Sequence, residues 1–116
     1  MNKKEIAVLT EIVCDVARSF DEIRPRHIED SLFQSKLNGA ILMCNGQLFL
    51  LKVPCSELTF DIYKSELQNM IKNITGYLSE YQKAEDIAFF EGKIEALRRI
   101  LSCCNLVEED MLKLKD

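Results

Sequence analysis

His27 is the only imidazole in this 116-residue chain. With Glu29, Asp30 or Cys44 folded against it, it would serve as a general acid or base. No spacing fixes such a contact, and the Arg24-Pro25-Arg26-His27 run equally suits a helix cap or contact with an acidic partner. Glu91 and Glu95 are four apart and share a helix face, as metal-binding carboxylates do. A di-iron-like site wants matching ligands on other helices and commonly a Glu-x-x-His pattern, and the sequence supplies neither. Cys14, Cys44, Cys55, Cys103 and Cys104 are an odd set without a CxxC pair, so they spell no zinc framework. Cys103 and Cys104 diverge by about 100° on a helix. Packing is their leading reading, and soft-metal or redox chemistry the lesser one. No catalytic, cofactor-binding or metal-ligating residue is assigned, and no cofactor is expected.

Charge sets the next limit. Hydrophobic residues are 47% of the chain and charged residues 29%, with a net charge of -4 and a pI near 5.1. That composition folds rather than staying disordered. Its average field opposes DNA and anionic membranes. Arg18, Arg24, Arg26 and His27 form a local basic cluster and Arg98 with Arg99 a smaller one, both broken up by acidic neighbours. Thiols among apolar neighbours, the lack of a secretory leader and apolar runs too short to span a bilayer lead to an expected cytoplasmic location without membrane contact.

The elements that position these residues follow from periodicity. Ile6, Leu9, Val13, Val16 and Phe20 align on one face of a helix over residues 3–20. Asp21 to Arg24 interrupt it. Pro25 then suits the first turn of a second helix over 25–37, packing through Ile28, Leu32, Phe33 and Leu37, with Asn38-Gly39 as a stop. Residues 40–44 and 47–53 read as an apolar β-hairpin turning on Asn45-Gly46, with Cys44 opposite Gln47 and Leu42 opposite Phe49. One sheet face carries Leu42, Phe49, Leu51 and Val53, and the other Ile41, Met43, Leu48 and Leu50. Both faces are apolar, so helices or another chain must cover them. Pro54-Cys55-Ser56 marks the exit.

Two helical registers follow, Phe60, Tyr63, Leu67, Met70, Ile74, Tyr77 and Tyr81, then Ile87, Phe90, Ile94, Leu97, Leu101 and Cys104. Their mismatch predicts two antiparallel helices with a turn near 79–86, capped by Ser79 and Gln82, over a single helix of about 66 Å across 60–103. Asn105 and Glu108 begin a short terminal helix, with Lys113 and Lys115 at its negative end.

The expected fold is a helix-rich α+β single domain over 1–116, with a central two-stranded hairpin and a carboxy-terminal helix pair. The function expected is a non-enzymatic protein-binding module acting as a small regulator, inhibitor or adaptor. Its partner would be a second copy of the chain or a larger protein. Candidate interface residues are Ile41, Met43, Leu48, Phe49, Leu50, Tyr63, Tyr77, Phe89 and Phe90, with Arg24, Arg26 and His27 as polar contacts. The alternatives are an acidic secretion-chaperone-like homodimer, a nucleic-acid-binding regulator using Arg18, Arg24 and Arg26, and a small enzyme using His27.

Overall fold

A computed structural model describes residues 1–55 and 57–114, and every regular element in it is helical. Ser56 at the expected hairpin exit and Lys115 at the expected helix end lie outside the described residues. Helix α1 spans Lys3–Ile23, α2 Ser31–Lys52, α3 Phe60–Tyr77, α4 Ala84–Leu106 and α5 Glu108–Lys113. Short 3-10 turns, Arg24–His27 and Leu78–Glu80, follow α1 and α3.

Local chemistry starts three of these helices. Asn2 caps α1 and forms a reciprocal capping box with Glu5, Asp30 accepts from the Phe33 amide to open α2, and Thr59 accepts from the Ile62 amide to open α3. The caps expected after residue 78 are displaced. Helix α4 begins after Lys83 and α5 after Val107, each without a side-chain cap. Pro25 sits at the head of the Arg24–His27 turn rather than opening α2, where its missing amide costs nothing.

The α+β class and the hairpin are corrected, because no strand occurs among the described residues. Residues 40–52 lie inside α2, and Val53 is its C-cap. Asn45 and Gly46 do not turn. Among the described residues none, glycine included, has the positive φ that a two-residue hairpin turn demands. The same stretch also carries a helical period. Leu37, Ala40, Cys44, Gln47 and Leu51 recur at intervals of three and four, and all are buried. A helix satisfies its own backbone hydrogen bonds, whereas two isolated strands leave two open edges.

Helices α2 and α4 form the centre and run in the same direction. At their amino-terminal ends Leu32 and Phe33 face Ile87 and Ala88 across a groove. At mid-length, a Cβ built on Gly39 would fall 1.8 Å from the Phe89 carbonyl oxygen, and one on Gly92 1.8 Å from the Lys36 carbonyl oxygen. The two backbones therefore touch, and glycine is the residue that permits it. The Asn38-Gly39 pair, expected as a helix stop, is in fact this contact.

Helix α1 runs the opposite way and packs on both central helices, while α3 packs on α4. Arg99 of α4 lies 4.3 Å over the Phe20 ring at the carboxy-terminal end of α1. At the other end the Met1 ammonium donates to the Leu58 carbonyl, and the Asn2 amide donates to the Leu114 carbonyl. The core runs through Leu9, Val13, Phe20, Leu37, Leu67, Leu97 and Ile100. Burying each large side chain contributes about 1.5–3 kcal/mol before entropy losses. One polar pair is sealed within it: Gln47, 1% exposed, accepts a 3.0 Å hydrogen bond from the Tyr63 hydroxyl. No helix among the described residues is long and apolar enough to cross a membrane.

Candidate functional site

The outer face of α2 is the least ordinary surface of the molecule. From Leu37 to Leu51 the helix carries no charged residue. Its inner seam meets α4 and α1, yet Leu42 and Phe49 on the outside are 53% and 68% exposed, and Leu50 and Val53 are exposed beside them. Leu42, Gly46, Phe49 and Val53 are spaced four, three and four, which aligns them along one side. Gly46 has nothing within 4 Å of where a Cβ would stand. The surface is therefore open at Gly46, between Leu42 and Phe49.

The sequence-derived interface residues do not form one surface. Phe49 and Leu50 belong to the exposed stripe, while Ile41, Met43 and Leu48 are half-buried against the core. Tyr63 is buried in the core and Tyr77 is exposed far along α3. Phe89 and Phe90 sit edge to face at 5.5 Å, with Tyr81 stacked on Phe90 and the Lys93 ammonium 4.8 and 5.0 Å from the two rings. Their faces are already engaged. Leu42 and Val53 lie in the same exposed row; the hairpin reading also sets both on the face of Phe49, and the helix turns Leu51 inward and brings Gly46 into the row instead.

The polar candidates are mostly committed to the fold. Arg24 donates to Gln34 at 2.9 Å and to Asn38 at 2.7 Å, and Gln34 donates back to the carbonyls of Arg24 and His27. This network locks the Arg24–His27 turn onto α2. Arg24 and Arg18 also pair with Asp21 and Asp15 at 3.8 and 3.1 Å. Arg26 is exposed, and His27 lays its ring 4.2 Å from Phe33. Asp30 is occupied as the α2 cap, and Cys44 is fully buried about 20 Å further along the helix, so His27 and Cys44 are not brought together. Glu95 joins Lys36 at 2.9 Å and Arg99 at 2.8 Å. Burial alone would raise its pKa, but the hydrogen bonds and charges of Lys36 and Arg99 outweigh it and hold the carboxyl below its ordinary value. Among the described residues, no group of three or more His, Cys, Asp or Glu side chains could hold a metal ion.

The thiols separate by burial. Desolvation pushes Cys44 up to about 11 and Cys104 up to about 12, and it lifts the Tyr63 hydroxyl between them well above its usual range. Cys55 is exposed, and Cys14 and Cys103 are half-buried. Because the thiolate is the reactive form, native protein at pH 8 is expected to react fast at Cys55, slowly at Cys14 and Cys103, and at Cys44 and Cys104 only on unfolding. Timed labelling with a chromogenic disulfide, followed by peptide mapping, checks this. Fast modification of Cys44 or Cys104 in folded protein would contradict it.

No family model, curated protein or solved structure matches this chain.

Proposed function

We propose that the chain is a non-enzymatic protein-interaction module that pairs with a second copy of itself through the outer face of α2. The observation that supports this reading is the exposed stripe of Leu42, Phe49, Leu50 and Val53 on a helix without charge between Lys36 and Lys52. Large apolar side chains left exposed in a row mark a binding site or an aggregation liability.

A second copy suits the stripe for two reasons. A two-fold interface must be self-complementary, and antiparallel packing about Gly46 sets Leu42 of one copy against Phe49 and Leu50 of the other. The face is also neutral. Two chains of net charge -4 meet there without adding like charges to the contact. The open surface at Gly46 lets the two helices approach closely.

The test is light scattering across a wide concentration range on wild type and Phe49→Asp. Wild type is expected to rise toward twice the monomer mass. Loss of a central aromatic anchor costs about 2 kcal/mol or more, so the variant should dissociate at least about 30-fold more readily while keeping its helical circular dichroism. A wild type that stays monomeric throughout, or a variant that pairs as tightly, would overturn the proposal.

A further inference from the structure

The amino-terminal halves of α2 and α4 bound a groove of about 410 Å³. Leu32, Phe33, Ile87 and Ala88 supply its apolar walls, and Asp30, Lys36 and Glu91 its charges. Leu32 is 44% exposed at the lip. The groove continues the channel between α2 and α4 that α1 fills. Phe33 and Lys36 line both this groove and the crevice beneath Phe20 and Ile23, where α1 ends. Beyond Ile23 the chain leaves α4 as the Arg24–His27 turn, which is held on α2 through Gln34 with the His27 ring 4.2 Å from Phe33, and the groove lies open beside it.

The free charge along the groove is negative. Lys36 is held by Glu95 at 2.9 Å, whereas Asp30 and Glu91 have no ion-pair partner among the described residues. Outside the lining, Glu85 and Asp86 on the first turn of α4 are matched by Arg26 and Lys83 at the same end, so the negative excess rests on Asp30 and Glu91.

We propose that this groove binds a short basic amphipathic helix of another protein, which continues the line of α1. An apolar side chain of that helix enters between Leu32 and Ile87, and a lysine or arginine one turn away meets Glu91 and Asp30. Charge complementarity across the rim selects a basic segment over an acidic one. The site lies apart from Leu42, Phe49 and Val53, so its occupation does not depend on pairing of two chains.

The experiment is a titration of the isotope-labelled full chain, followed by amide shifts, with three synthetic helical peptides. One has leucines four apart and a lysine rim, the second replaces lysine by glutamate, and the third replaces leucine by alanine. The lysine–leucine peptide is expected to shift amides around Leu32, Phe33, Ile87 and Ala88, and to bind at least tenfold more tightly than either control. Glu91→Lys and Leu32→Asp, both at exposed positions, should each weaken it about tenfold in protein whose circular dichroism is unchanged. Equal binding of the glutamate peptide, shifts that track the α2 stripe or spread over all acidic surfaces, or full affinity in Glu91→Lys would each overturn the proposal.

Discussion

Gly39→Ala and Gly92→Ala are each expected to destabilise the protein by about 3 kcal/mol or more, at the upper end of the cost of overpacking a core. The added methyl carbon would stand 1.8 Å from a backbone carbonyl oxygen on the opposite helix. No rotamer change can relieve a clash with backbone, so α2 and α4 must separate along their contact. Helix propensity acts the other way, because alanine in a helix interior gains about 1 kcal/mol over glycine, and steric exclusion outweighs it. Gly76→Ala meets nothing within 4 Å and is expected to be neutral or to stabilise by up to about 1 kcal/mol. Denaturant midpoints of the three variants check the contrast. Three similar small effects would show that the backbone contact between α2 and α4 is not what organises the bundle.

The second large effect falls on the sealed polar pair. Tyr63→Phe removes the 3.0 Å donor to Gln47 and leaves a buried amide oxygen without a partner, at a cost of about 1–3 kcal/mol. Gln47→Leu strands the Tyr63 hydroxyl in the same way and also removes the amide contacts to the Met43 and Met70 sulfurs at 3.7 and 3.6 Å. Replacing both partners by apolar groups leaves neither orphaned, so the double variant should lose less stability than the two single losses combined. Strict additivity in the cycle would mean that the hydrogen bond contributes nothing to joining α2 with α3.

The helices with one apolar face were legible in the sequence. Leu9, Val13, Val16 and Phe20 on α1 are all buried, and residues 60–106 divide into α3 and α4 with the break at 78–83. The failure came at residues 40–53, where apolar side chains occupy so many positions that alternation and helical spacing both fit. There the local turn chemistry of Asn45-Gly46 outvoted a tertiary contact that no local pattern reveals, the meeting of Gly39 with Phe89 some fifty residues later. The candidate surface was half legible for the same reason. A strand reading already sets Leu42, Phe49 and Val53 on one face, but with Leu51 among them and Leu50 on the other. In the helix Leu51 turns inward, and Gly46 and Leu50 join the exposed side.

The parallel contact of α2 with α4 bears on the order of folding. Its halves are separated by the whole of α3, so the loop between them must close before α2 gains its main cover, and contacts so distant in sequence form slowly. Until then the uncharged stretch from Leu37 to Leu51 has neither α4 to hold it helical nor charge to keep it apart from other chains. Its alternating apolar pattern suits β-pairing in an unfolded chain. Docking of Gly92 against the Lys36 carbonyl fixes the inner seam of that segment in helical form, while Leu42 and Phe49 stay on the surface.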